Sequence, residues 1–467
     1  MGYTYLQQYT YNVLTAGYNV FLTGDAGTGK TFIAMEFISD AVKRDMNVMV
    51  LASTGLAALN IHGATIHDGL KINPSDNYKY LVKRELSVLD TAIDRLEYTD
   101  LLIIEEISMC RIDLFDLVAN AVLEANNRRK RKNKPNIQLV VIGDFFQLPP
   151  VITKQDKIYL DSYYKRDVQL GFAFESKFWK YFDFKYIILT EVVRQTNLEF
   201  IKKLNEIRLG NREAIQYIYD NSAKQMDPNA ITVTGKQADA YNTNLLQLDR
   251  LPGQAILYEA VITGNITENN VVADKNLLLK EGARVMTIVN GKNKDGTVEF
   301  FNGSMGTVMQ TLANTAIIRF DTGEICEIEP VTWEVYGYTV ENGKLIRELL
   351  GTFEQLPIKL AYAVTIHKSQ GQTYSAMNLS PYSWDCGQLY VALSRVTSLD
   401  RLYFTQPLDE SYLKISLSVI EFYNSIVSKA NKTIDTRINV LKNSVARDVD
   451  PDLEHILSGL KTVGGKQ

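Results

Sequence analysis

From the start of the chain to about position 192, short apolar runs alternate with stretches whose apolar residues recur at helical spacing. That alternation predicts a parallel sheet flanked by helices. The candidate strands are NVFLT, VMVLAS, DLLII, IQLVVIG and FKYIILT. Polar or glycine-rich residues follow each of them, and ligands of open α/β sheets gather at the carboxyl ends of strands. A second α/β set, with AITVTG, LAYAVTIH and RLYFT as strands, is predicted over 193–283 and 356–412. Between these two stretches the character changes. ARVMTIV, SMGTVMQT and TAIIRF are short and separated by NG, NGS and DTG turns, so they read as hairpins. They predict a small β-barrel over 284–355, inserted into the second α/β domain. The span 68–97 is polar and mixed, an expected small insertion in the first domain. Beyond Pro407, Val419, Phe422, Tyr423 and Ile426 fall at helical spacing, which predicts a helical extension and polar tail over 413–467.

Composition narrows the class. At 467 residues the chain suits several domains. Its 46% hydrophobic and 22% charged residues are globular averages, which argues against wholesale disorder and fibrous architecture. No stretch approaches the roughly 20 uncharged apolar residues of a membrane span. The N-terminal MGYTYLQQYT has neither a basic start nor an apolar run, so no secretory signal is expected and the cytosol or nucleoid is the expected compartment. Cys110, Cys326 and Cys386 lie far apart, with no histidine at zinc-ligand spacing, which argues against a disulfide framework or a zinc site. The net charge of -4 lacks a strongly basic balance, so any nucleic acid must bind in a local groove.

The strongest chemical signal is Gly24-Asp25-Ala26-Gly27-Thr28-Gly29-Lys30-Thr31, which matches GxxxxGK[ST] between the strand NVFLT and a helical run. Backbone N–H groups of such a loop curl around phosphates, and the helix N-terminus adds a favourable dipole. Lys30 is placed to reach the β and γ oxygens of ATP, and Thr31 to hold Mg²⁺. A chance glycine turn would not have a strand before it and a helix after it. A second element, Leu101-Leu102-Ile103-Ile104-Glu105-Glu106, ends a buried strand in two acids. Glu105 is assigned to the metal and Glu106 to the attacking water.

Further segments place these motifs in a family. TGLAALNIHGATIH, GDFFQLPPV, LTEVVRQ, TIHKSQGQT and GQLYVALSRV, in that order after the P-loop, resemble the Pif family of superfamily 1B DNA helicases, relatives of RecD and the phage Dda helicase. The resemblance covers roughly positions 5 to 405. It implies two RecA-like P-loop domains closing on ATP, translocation on single-stranded DNA, and 5′-to-3′ polarity. By the same resemblance Gln7 contacts adenine, with Gln8 as the alternative. Gln147 senses the γ-phosphate or its water, and Arg194 and Arg395 reach across the interdomain cleft. Guanidinium groups suit that task because they stabilise charge spreading over a transferred phosphoryl group. Gln370 and Gly371 touch the nucleotide from the second domain. One departure stands out: the family normally has aspartate where this chain has Glu105, and the extra methylene is expected to displace the metal or its water.

Thr54 and His67 in the first domain, and Thr365, His367, Lys368 and Ser369 in the second, resemble the family's strand-contacting positions. Arg128-Arg129-Lys130-Arg131-Lys132 is the only dense basic run, and it reads as the solvated, dipole-matched end of a helix more readily than as a nucleic-acid patch. Within 68–97, Pro74 and Tyr78 are expected near the tip of a strand-separating wedge. The expected partners are single-stranded DNA and tailed or forked duplexes, with no membrane. A cleft supplied with both arginines by one chain needs no second subunit, so a monomer is expected. Two rivals remain open at this point: a single-stranded nucleic-acid binder switched by ATP with weak turnover, and a P-loop ATPase acting on protein.

Overall fold

The computed structural model describes residues 3–73, 86–191, 197–266, 273–292, 298–342 and 344–430. The chain divides into two compact units, Met1–Val419 and Ile420–Gln467. Of the second unit only 420–430 are described, and they are helical, as the spacing of Phe422, Tyr423 and Ile426 predicts. Among the described residues no helix is long and apolar enough to cross a membrane.

The first domain is built on a six-stranded sheet of β1 (Val20–Gly24), β2 (Val48–Ala52), β3 (Ala64–Thr65), β4 (Leu101–Glu105), β5 (Gln138–Ile142) and β6 (Lys185–Leu189), in the order β3-β2-β4-β5-β1-β6. Every pairing in it is parallel. The five predicted strands are all present; β3, with two residues, is an addition. Strands β1, β4 and β5 are buried along their whole length, because helices cover both faces. Ile33 and Phe37 of the helix α1 (Lys30–Lys43) pack with Val20, Leu22, Ile103, Val140 and Ile187. Each such side chain contributes roughly 1.5–3 kcal/mol on burial. This core fixes the carboxyl ends of β1, β4 and β5 side by side, and the chemistry-bearing residues start there.

The second domain has a four-stranded parallel sheet of β7 (Ile231–Thr234), β20 (Ala363–Thr365), β21 (Met377–Leu379) and β22 (Leu402–Phe404), in the order β20-β7-β21-β22. Its core includes Phe200, Leu204, Ile231, Val364, Leu379 and Leu393, and Leu148 of the first domain is buried within the same cluster. The GDFFQLPP loop is thereby anchored in both domains. Phe145 packs against Phe21, Trp179 and Phe174 on the first-domain side.

The β-rich insertion runs from Ile256 to Leu360, earlier and later than the 284–355 span read from the hairpins. Its strands are β8 (Ile256–Glu259), β9 (Val261–Gly264), β10 (Asn276–Leu279), β11 (Arg284–Thr287), β12 (Gly291–Lys292), β13 (Val298–Phe300), β14 (Met305–Thr311), β15 (Ala316–Phe320), β16 (Ile325–Ile328), β17 (Val331–Glu341), β18 (Lys344–Gln355) and β19 (Ile358–Leu360). Five of them form the sheet β16-β15-β14-β11-β19, and among the described residues no pairing of β16 with β19 closes it into a barrel. The long β17–β18 hairpin reaches the first domain. The Tyr338 hydroxyl accepts from Val50 N–H at 2.9 Å and donates to Val50 C=O at 3.3 Å. Strand β3 pairs only with Leu51 and Ala52, so Tyr338 satisfies backbone groups of β2 that a longer neighbour would otherwise take.

Candidate active site and strand groove

The P-loop leaves β1 at Gly24 and enters α1 at Lys30. Gly29 has φ +81°, and a Cβ there would lie 2.6 Å from Gln7 Nε2. Only glycine allows the loop to turn this tightly beneath that amide. Gln7 is buried: its Nε2 donates to Thr28 C=O at 3.2 Å and its Oε1 accepts from Thr4 N–H at 3.1 Å. It therefore braces the phosphate loop as well as capping its own helix. The alternative, Gln8, points away and donates to Asn12 Oδ1 at 3.1 Å in an exposed position.

Lys30 folds back on the loop, with Nζ donating to Gly24 C=O at 2.9 Å and Asp25 C=O at 3.0 Å. Burial pushes its pKa down, while the carboxylates of Asp144, Glu106 and Glu105 pull the other way. Thr31 Oγ1 donates to Glu105 Oε1 at 2.6 Å, so the longer acid reaches the P-loop hydroxyl. Burial raises the pKa of Glu105; Thr31, the Glu106 N–H and Lys30 hold it back. Glu106 N–H donates to Glu105 Oε2 at 3.2 Å.

Glu106 has φ +53°, a left-handed conformation that costs a non-glycine residue on the order of 1 kcal/mol. Its pKa rises well above the usual carboxylate range through burial first and the Glu105 charge second, opposed by Lys30 and Arg395. From the second domain, Gln370 Nε2 donates to Glu106 Oε2 at 3.2 Å and to Gln147 Oε1 at 3.3 Å. One buried amide thus joins the acid at the end of β4, the glutamine after β5 and the loop after β20. Gly371, beside it, has φ +77° and open space around its Cα.

Of the two arginines expected to reach across the cleft, Arg194 lies outside the described residues. Arg395 is buried, and its guanidinium donates to Val391 C=O at 2.8 Å, Gln372 C=O at 3.2 Å and Ser394 Oγ at 2.6 Å. Those bonds tether it within its own domain, although its charge is felt by Glu106. Among the described residues Arg208, at the end of the helix α2 (Leu198–Arg208), is a cation that bridges the domains. It donates to Asp144 at 2.9 and 3.2 Å, lies 3.3 Å from Asp25 of the P-loop, and stacks 4.3 Å over the Phe146 ring. Tyr390 crosses as well, its hydroxyl accepting from the P-loop Ala26 N–H at 3.2 Å. Gly387 makes this approach possible, since a Cβ there would lie 2.3 Å from Gln147 C=O. Arg208 carries no motif, and Tyr390 sits in a recognisable segment without a residue-level signal.

Beside this centre lies a groove of about 510 Å³, lined from the first domain by Thr54, Asn60 and Glu106 and from the second by His367, Lys368 and Gln370. Thr54, two residues past the end of β2, and Thr365, the last residue of β20, each cap the short helix that follows. Thr54 Oγ1 accepts from Ala57 N–H at 3.2 Å, and Thr365 Oγ1 from Lys368 N–H at 3.2 Å. Lys359 of β19, which no motif marks, also lines the groove, and burial together with Lys368 pushes its pKa down to about 8. His67 is half-buried on the helix α3 (Ile66–Leu70) and is not among the groove's lining residues. Ser369 corrects the sequence reading: it is fully buried, with Oγ donating to Ile366 C=O at 2.8 Å, so it cannot present a donor to a strand.

The basic run is buried only at Arg129, with Lys130, Arg131 and Lys132 exposed to solvent. Arg129 is 1% exposed and donates to Pro135 C=O, Glu97 C=O and Asp100, while Arg128 pairs with Asp94 and Lys132 with Glu97. The expected wedge tip, Pro74 and Tyr78, lies outside the described residues.

A P-loop with two strand-end acids, facing a second parallel-sheet domain across a cleft, defines a P-loop NTPase of two RecA-like halves. The PIF1-like helicase family matches residues 6–217. ATP-dependent DNA helicase Pif1 of Campylobacter jejuni is 30% identical over 443 residues, covering 87% of this chain and 94% of that protein. PIF1 of Xenopus laevis is 31% identical over 90% of this chain, which spans 64% of its length. Bacteroides sp Pif1 in complex with ADP-AlF4 superposes with a TM-score of 0.76 at 30% identity, over 92% of this chain and 98% of that one. Pif1 helicase from Bacteroides in complex with ADP-AlF3 and single-stranded DNA gives a TM-score of 0.61 at 30% identity, over 92% of this chain and 99% of that one. The chain belongs to the PIF1-like helicase family.

Proposed function

We propose that this chain is an ATP-dependent DNA helicase that moves 5′-to-3′ along single-stranded DNA, with Mg²⁺-dependent hydrolysis in the cleft between its two RecA-like halves. The observation that carries this reading is the pair of hydrogen bonds that the Gln370 amide donates to Glu106 and Gln147. Glu106 also lines the groove that holds Thr54, His367 and Lys368. A change in the cleft therefore moves residues that face the strand, which is the coupling a motor needs.

In this reading Lys30 exchanges its two loop carbonyls for the β and γ oxygens of ATP. The P-loop N–H groups cradle those phosphates, and Ala26 N–H gives up the Tyr390 hydroxyl to do so. Glu106 orients the attacking water and accepts its proton, and Gln147 holds the same water or the γ-phosphate. Arg395, with Arg194, meets charge developing on the transferred group once the halves close. Thr31 and Glu105 are hard oxygen donors held together by a 2.6 Å bond, a pair that suits Mg²⁺. Bound there, the ion would supply charge neutralisation to the phosphates. Thr54, His367 and Lys368, which line the groove, would grip the strand in alternation, with buried Thr365 capping the helix that carries the last two. The Bacteroides relative crystallised with single-stranded DNA supports the choice of partner.

The test is unwinding of duplexes carrying a single-stranded tail of one polarity. With ATP and Mg²⁺, the 5′-tailed duplex should separate and the 3′-tailed one should remain intact. Preference for the 3′ tail would reverse the polarity, and nucleotide-dependent binding without separation of either would point to the ATP-switched binder.

A further inference from the structure

We propose that Trp384 is a stacking platform for a nucleobase, extending the strand path beyond the groove onto the outer face of the second domain. This rests on the reading of the chain as a single-strand motor. The protein has three tryptophans, of which Trp179 and Trp333 are buried whereas Trp384 is 48% exposed. Its ring is held in place on several sides. The indole N–H donates to Gly235 C=O at 3.1 Å, the backbone N–H donates to Gln388 Oε1 at 3.1 Å, and its carbonyl accepts from Lys414 Nζ at 3.1 Å. The indole stacks on His367 at 25° between planes and 6.3 Å between centroids. An exposed aromatic fixed so firmly loses little freedom when a ring settles on it.

The surroundings select the ligand. His367 and Lys368 line the groove, and so does Gln237, two residues beyond the Gly235 carbonyl that holds the indole. The platform therefore continues the groove wall. Lys414 anchors one side, and Lys236 lies 5.0 Å over the ring of Tyr382, itself 43% exposed. Asp385 is the one acid in this segment, and it is shared by the charges of His367 and Lys414, with burial raising its pKa. Exposed rings interleaved with lysines beside a polar groove suit a flexible polyanion with flat bases. An apolar protein surface would leave the lysines without partners.

The experiment compares two oligothymidylates by fluorescence anisotropy, one complete and one with an abasic tract of equal charge. Titrations use the full chain, W384A and W384Y. The unsubstituted chain should bind the complete strand about five- to 150-fold more tightly than W384A does, the range for one stacked base. W384Y should recover most of that loss. The abasic strand should bind the full chain and W384A alike, because no base is present to stack. Intrinsic emission should fall when the complete strand binds the full chain and change little with W384Y, whose remaining tryptophans are buried. Equal affinity of W384A and the full chain for the complete strand would overturn the platform and leave the motor standing. So would an equal loss on both strands, which marks a purely structural role. Failure of the full chain to bind either strand would sink the motor and the platform together.

Discussion

Lys30→Ala is expected to lower ATP turnover by at least about a hundredfold, the scale for removing one buried donor to a developing anion. Single-strand binding should be retained. The lysine is buried, and its ammonium is held by two loop carbonyls, Gly24 at 2.9 Å and Asp25 at 3.0 Å, in a place a phosphate would contest. Its removal strips the one P-loop cation from a centre containing Glu105 and Glu106, and bound phosphates would then meet two acids without it. The strand groove is lined by other side chains, among them Thr54, His367 and Lys368. Steady-state hydrolysis and strand anisotropy on the same preparation separate the two effects. Near-normal hydrolysis would remove Lys30 from the site.

The second large effect is an asymmetry between neighbouring acids. Glu106→Gln should nearly abolish turnover while ATP binding persists, and Glu105→Asp should keep or raise it. An amide of the same shape still meets Gln370 but cannot accept a proton from water. Glu105 needs only a carboxylate near Thr31, and the shorter arm would relax the direct 2.6 Å contact and open room between the two oxygens. The acidity of Glu106 adds a sign. Its carboxyl is raised by burial and by the Glu105 charge, and the base works only when ionised. Turnover should therefore decline as pH is lowered from neutrality, before ordinary carboxylates titrate. Glu105→Asp as inactive as Glu106→Gln would require the two roles to be exchanged or abandoned.

What the sequence made legible was whatever depends on neighbours along the chain. The apolar runs marked β1, β2, β4, β5 and β6 because buried parallel strands need uninterrupted apolar side chains. The P-loop and Leu101–Glu106 were readable because strand-end position and residue type together define their chemistry. The middle strand β21 was missed, since Met377–Leu379 is too short to show a period. The first strands of the β-rich insertion were missed because Ile256–Leu279 carries no turn as plain as NGS or DTG. Contacts between distant segments left no local trace. Arg208 looks like any helix-terminal arginine until Asp25 and Asp144 are seen beside it. Tyr338 looks like any strand tyrosine until its hydroxyl meets Val50. The directions in which Gln7, Gln8 and Ser369 point left no trace in the sequence, because helix caps and burial decide them.

The central claim is that events at Glu106 and events in the strand groove are one process, joined through Gln370. The most direct measurement is the steady-state ATP hydrolysis rate of the full chain at saturating Mg²⁺, with and without single-stranded DNA. Strong stimulation by the strand is the predicted result, and a hydrolysis rate indifferent to DNA would contradict it.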